Sequence, residues 1–121
     1  MAFRVLVVDD DPSTRRYLSN LLAGAGYDVV TAGDIPSAMH VMANHAADLL
    51  ITDVRLDGYN GLHLIAMAPQ PIPAVVLTGF ADATIEAEAR QLGADYLLKP
   101  VEGPVLLAAV ARRLAGLDPP P

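Results

Sequence analysis

The chain has 121 residues, 53% of them apolar, no cysteine and a formal net charge of −6 at pH 7. A chain of this size can bury roughly two thirds of its unfolded surface around one core. Without cysteine there is no disulfide framework or thiol chemistry, which suits a reducing cytoplasm. The acidic balance, with Lys99 the only lysine, argues against a surface for nucleic-acid backbones.

In chain order, Phe3-Arg4-Val5-Leu6-Val7-Val8 reads as a buried strand running into Asp9-Asp10-Asp11; it is too short for a signal peptide or a membrane span. Asp11 is expected to cap a helix whose first turn holds Pro12, whose Tyr17, Leu18, Leu21 and Leu22 recur at core spacing, and which ends near Gly24-Ala25-Gly26. Val29-Val30-Thr31-Ala32 is the second strand, followed by a helix over about Pro36 to Asn44. Leu49-Leu50-Ile51-Thr52 leads into Asp53, Ala74-Val75-Val76-Leu77 into Thr78-Gly79, and Tyr96-Leu97-Leu98 into Lys99-Pro100. Helices are predicted at about Leu62 to Ala68, Ala83 to Leu92 and Pro104 to Leu114. The third is brief because Pro69, Pro71 and Pro73 close it. The expectation is α/β: a doubly wound, five-stranded parallel sheet with five helices, flavodoxin-like, over residues 1–116. Residues 117–121 read as a proline-rich tail or the start of a linker.

Such sheets bind ligands at the carboxyl ends of their strands, so Asp9, Asp10, Asp53, Thr78 and Lys99 should converge on one edge. Carboxylates crowded within about 5 Å repel by about 3 kcal/mol per pair at an effective dielectric near 20, which calls for protonation or a cation. Oxygen donors without cysteine or a neighbouring histidine favour Mg²⁺ over zinc. A metal beside an ammonium and a hydroxyl suits the equatorial oxygens of a phosphoryl group, with Asp53, alone at its strand end, as acceptor and Asp9 and Asp10 as a pair that holds the ion.

The motifs Val7-Val8-Asp9-Asp10-Asp11-Pro12, Asp53 with Gly61 eight residues on, Thr78-Gly79, Gly93-Ala94-Asp95-Tyr96 and Lys99-Pro100 together resemble the receiver domain of bacterial two-component response regulators, of the chemotaxis-regulator type, over about Phe3 to Leu114. That resemblance implies a cytoplasmic phosphoacceptor rather than a turnover enzyme. A histidine kinase or phosphotransfer protein would phosphorylate Asp53, with Mg²⁺ held by Asp10, Asp53 and the backbone carbonyl of Arg55, Asp9 acting through water and electrostatics, and Lys99 pairing with the phosphoryl group. Thr78 and Tyr96 would be switch residues reshaping the face of the fourth helix, fifth strand and fifth helix, read by an output domain or partner protein. Direct nucleic-acid and membrane binding are not implied.

Three departures from the family pattern stand out. Asp57 replaces the usual proline four residues after Asp53, and the stretch from Asp53 to Thr78 is short. At the lifetime-tuning positions Arg55 and Phe80 replace small or acidic residues, which implies slow loss of phosphate. Val105, Leu106, Leu107, Ala109 and Val110 exceed one buried stripe, so some are expected to meet a partner or, in a homodimer, a second copy, with Arg112 and Arg113 adding charge pairing there. Asp11 is expected to be only a cap, His40, His45 and His63 surface residues, and Met39 and Met42 core packing.

Two rival readings remain. Asp9-Asp10-Asp11-Pro12-Ser13 with Thr78 and Lys99 also resembles haloacid-dehalogenase-type phosphatases, with Asp9 as nucleophile and Asp11 as general acid. That family needs an acidic pair after the lysine, where only Glu102 and Asp118 follow, and it leaves Asp53 without a role. The other is a receiver fold that signals without phosphate.

Overall fold

The computed structural model describes residues 2–56 and 58–117. Five strands, β1 (Arg4–Val8), β2 (Asp28–Ala32), β3 (Leu49–Asp53), β6 (Ala74–Thr78) and β7 (Ala94–Leu98), form one parallel sheet in the order β2-β1-β3-β6-β7. Between β3 and β6 lies a two-residue antiparallel pair, β4 (Arg55–Leu56) and β5 (Tyr59–Asn60). Helices α1 (Pro12–Gly24), α2 (Ile35–His45), α3 (Leu62–Ala66), α4 (Ala83–Gln91) and α5 (Gly103–Leu114) complete the chain.

Each helix begins where its local chemistry dictates. Asp11, Asp34 and Asp82 accept backbone N–H groups of the first turns of α1, α2 and α4, satisfying donors that a helix cannot pair internally. Asp11 is thus the cap that its position before Pro12 predicts. The Ser13 N–H, helped by the Thr14 hydroxyl, holds its carboxyl below the usual carboxylate range. The third helix stops at Ala66, two residues before the predicted end, since a residue preceding proline is pushed out of helical geometry and Pro69 follows Ala68. The β4–β5 pair carries no signal in the sequence. Two residues per strand are too few to show alternation, and Asp57, expected to loosen this loop, lies outside the described residues.

Alternating side chains divide the core between the two sheet faces. Leu6, Val8, Leu50 and Val76 pack with Val41, Met42, Leu64 and Ala89 on the side of α2, α3 and α4. Val5, Val7, Leu49, Ile51, Val75 and Leu77 pack with Leu18, Leu22, Leu106 and Val110 of α1 and α5. Met42 is buried and Met39 half-buried against the first cluster, while His40, His45 and His63 are exposed. On α5, Leu106, Ala109 and Val110 belong to the core and Val105 stays exposed.

Arg112 and Arg113, expected to pair with charges outside the domain, are engaged within it. Their guanidinium groups meet the buried Asp95 carboxylate on β7 at 3.1 and 2.8 Å. The Arg113 hydrogen bond, opposed by burial and supported by Arg112, holds Asp95 below its ordinary pKa. A depressed folded-state pKa means stability that is present above the unfolded value near 3.8 and lost as pH falls below it through the folded value. Asp95→Asn should therefore cost about 1 kcal/mol at neutral pH, since one side of the cluster is solvent-screened. Urea unfolding should show wild type and variant converging as pH drops below 3.8.

Candidate functional site

The polar groups gather where β1, β3, β6 and β7 deliver their carboxyl ends. Asp9 follows β1 and Asp53 ends β3, the neighbouring strand, so their carboxylates stand side by side. Lys99, just past β7, reaches back over β6, and its Nζ donates to Asp9 Oδ2 and Asp53 Oδ2, each at 2.7 Å. Asp9 is 2% exposed and its second oxygen accepts the Asp11 N–H at 2.9 Å; that of Asp53 accepts the Arg55 N–H at 3.2 Å. Desolvation pulls the Lys99 ammonium down, but the hydrogen bonds and charges of Asp53 and Asp9 outweigh it and leave its pKa above the usual lysine value. The Lys99–Pro100 peptide is cis.

Thr78 ends β6 beside this cluster. Its buried hydroxyl accepts the Phe80 N–H at 3.3 Å, and its carbonyl accepts the Lys99 N–H at 2.8 Å. Half-buried Tyr96 sends its hydroxyl to the β6–α4 turn, donating to the Phe80 carbonyl at 2.9 Å and accepting the Asp82 N–H at 3.1 Å. The Arg55 guanidinium lies 4.1 Å from the centroid of the exposed Phe80 ring. Asp9, Asp53 and Lys99 are thus brought into direct contact, Thr78 adjoins them, Arg55 and Phe80 stack at the rim, and Asp10 stands exposed beside Asp9.

Three further residues shape the site; Gly61 stands in the sequence motif that follows Asp53, while Thr52 and Arg15 carry no signal of their own. Thr52 donates its hydroxyl to the Asp53 carbonyl at 2.9 Å. Gly61 passes so close that a Cβ there would meet this same carbonyl oxygen at 1.8 Å. Arg15 of α1 donates from Nη1 to the Asp9 carbonyl at 2.6 Å. Each of these contacts is local in sequence and depends on how the chain turns at the ends of β3 and β1.

Among the described residues, no three acidic or imidazole side chains are gathered into a ready-made metal cage. The donor chemistry nevertheless fits a hard cation that keeps much of its water. Every side-chain donor at the edge is oxygen, and the carboxylates of Asp9, Asp10 and Asp53 outnumber the single ammonium among them.

Comparison with known proteins points the same way. Residues 5–111 match the family model described as the response regulator receiver domain. The chain is 39% identical over 124 residues to the response regulator protein FleR of Pseudomonas aeruginosa, covering 98% of this chain and 26% of that protein. It is 36% identical over 117 residues to the DNA-binding response regulator MtrA of Mycolicibacterium smegmatis, covering 94% and 51%. The chain therefore spans about a quarter and about a half of these two relatives. Among solved structures, a CheY-like receiver domain protein from Methanospirillum hungatei superposes with a TM-score of 0.87 at 26% identity, covering 94% of each chain. A response regulator from Burkholderia pseudomallei, solved with a phosphorylated aspartic acid, a calcium ion and citrate, gives a TM-score of 0.82 at 32% identity, covering 88% of this chain and 65% of that one.

Proposed function

The chain belongs to the response regulator receiver domain family, and on that premise we propose that Asp53 accepts a phosphoryl group from a histidine kinase or phosphotransfer protein in a two-component pathway. The observation that carries this reading is the Lys99 ammonium bonded at 2.7 Å to both Asp53 and Asp9 at the carboxyl edge of the sheet. An Asp53 oxygen attacks the phosphorus, the bond from phosphorus to the donor's imidazole nitrogen breaks, and the electron pair leaves with the imidazole. Lys99 neutralises charge on the transferred group, and the Thr78 hydroxyl swings to bond it. Asp10, Asp53 and the Arg55 carbonyl would hold Mg²⁺, whose chemistry is to screen the carboxylates and neutralise the phosphoryl oxygens. The protein is a stoichiometric acceptor, not a turnover enzyme, and it works in the cytoplasm.

The output follows from the link between Thr78 and Tyr96. Tyr96 holds the Phe80 carbonyl and the Asp82 N–H, so pulling Thr78 toward a phosphate tugs the turn that Tyr96 anchors. That biases a second packing of α4, β7 and α5, the face offered to an output domain, a partner protein or a second copy. Residues 1–116 act as the receiver unit, with residues 117–121 a proline-rich tail or the start of a linker, of which residues 118–121 lie outside the described residues.

Intact mass after incubation with Mg²⁺ and a small acyl phosphate tests the proposal. One added phosphoryl group is expected, absent in Asp53→Asn and absent with chelator. Label elsewhere, or turnover of a phosphate monoester, overturns it.

The Arg55–Phe80 stack supports slow loss of that group. A cation over an exposed ring is worth about 0.5–1 kcal/mol, or about two- to fivefold in a rate if the stack must open to admit the attacking water. Phe80→Ala should shorten the acyl-phosphate half-life by about that factor, and Arg55→Ala in the same background should add little because the two act as one lid. Additive effects in a decay assay would separate them.

A further inference from the structure

We propose that Arg15 is a positioning residue for the metal-holding acid pair, locking the turn that joins β1 to α1 so that Asp10 faces the Asp53 edge. This rests on the reading of Asp10 as a Mg²⁺ ligand given above.

The backbone and side chain of Asp9 are held on every side. Its N–H donates to the Ala32 carbonyl at the end of β2 at 3.2 Å, and its carboxylate is held by the Asp11 N–H and Lys99. The one remaining polar group, the carbonyl, accepts Arg15 Nη1 at 2.6 Å. That carbonyl belongs to the planar peptide joining Asp9 to Asp10, so pinning its oxygen fixes the plane from which Asp10 departs. Asp10 itself is exposed. Its direction is therefore set through its backbone, and Arg15 is the side chain that holds it.

A second observation comes from the neighbouring turn. The Arg15 side chain runs over Gly33, just past β2, where a Cβ would lie 2.9 Å from Nη1 and 3.4 Å from Cζ. Gly33 thus leaves the channel along which the guanidinium reaches the Asp9 carbonyl. A methyl group there meets only the far end of a flexible side chain, which can yield, so the fold survives while the guanidinium is displaced.

The sign of the effect distinguishes positioning from simple electrostatics. Removing a cation that sits on the Asp9 carbonyl, beside the proposed metal-holding acids, should by charge alone tighten Mg²⁺ binding. A positioning role predicts weaker binding instead, by about tenfold or more, as for other side chains that orient metal ligands.

The test is an NMR titration of the purified chain with Mg²⁺ alone, following the backbone amides around Asp10 and Asp53, for wild type, Arg15→Gln and Gly33→Ala, with thermal melts of each. Weaker Mg²⁺ binding in both variants is expected, with Arg15→Lys recovering part of the loss. Because Gly33→Ala keeps every charge, it carries the result even where Arg15→Gln loses stability. Unchanged or tighter binding in folded Gly33→Ala overturns the proposal alone. Absence of Mg²⁺ binding in wild type overturns the metal reading on which it rests.

Discussion

Lys99→Met should slow phosphorylation by a small acyl phosphate by about 10²–10³-fold, the usual loss when one preorganised charge is withdrawn from a site of developing negative charge. The side chain keeps its length and loses its ammonium, so the change isolates charge from packing. In wild type that ammonium is shared between Asp9 and Asp53 at 2.7 Å to each. A dianionic donor approaching the edge meets three carboxylates, and Lys99 is the cation in contact with two of them. Its carboxylate neighbours hold its pKa above the usual lysine value, so it is charged at neutral pH.

The same substitution has a second consequence with opposite metal dependence. The Asp9 side chain is 3% exposed and that of Asp53 13%, so losing the shared cation leaves two adjacent carboxylates poorly solvated. Breaking a fully buried pair costs about 3–5 kcal/mol; with Lys99 itself 26% exposed, about 2 kcal/mol is expected here. Mg²⁺ should then raise the melting temperature of Lys99→Met more than that of wild type, because the ion no longer competes with the ammonium for the same oxygens. A rate within tenfold of wild type, or an equal response to Mg²⁺, would show that Lys99 is peripheral to the site.

Much of this arrangement was legible in the sequence because buried parallel strands are continuous aliphatic runs, and whatever follows such a run must lie at the binding edge. Asp9, Asp53, Thr78 and Lys99 follow such runs and lie at that edge, and the Asp11-Pro12 pair marks the start of α1 within a residue. The runs alone do not show that Lys99 bonds both carboxylates at once, since strand order depends on how the helices cover the sheet. Asp95 was visible only as part of a motif; its pairing with Arg112 and Arg113 needs β7 and α5 packed together. Arg15 and Gly33 carried no periodic or motif signal. Their contact joins the first turn of α1 to the turn just past β2.

Gly61→Ala should be the most damaging single methyl group in the domain, and the reason is proximity rather than backbone conformation. Gly61 sits at φ −60°, ψ −20°, which any residue adopts. A Cβ there would lie 1.8 Å from the Asp53 carbonyl oxygen, 2.6 Å from Thr52 Oγ1 and 3.0 Å from the Asp53 carbonyl carbon. Two of these are backbone atoms of a buried sheet strand, and the Gly61 N–H is tied at 2.7 Å to the Val54 carbonyl, so neither side can withdraw freely. Overpacking of a core costs about 1–3 kcal/mol, and this contact, against backbone, belongs at or above the upper end. If the strain is relieved by shifting the end of β3, Asp53 moves with it, and a displacement near 1 Å at a reacting group costs about 10²-fold in rate. Denaturant unfolding and the acyl-phosphate assay should therefore fail together in Gly61→Ala, whereas Gly24→Ala, with no heavy atom within 4 Å of its new methyl group, should be neutral or stabilising through helix propensity. Wild-type stability in Gly61→Ala would mean that β3 and the turn before α3 can separate, and the rigid placement of Asp53 would then have to come from its carboxylate contacts alone.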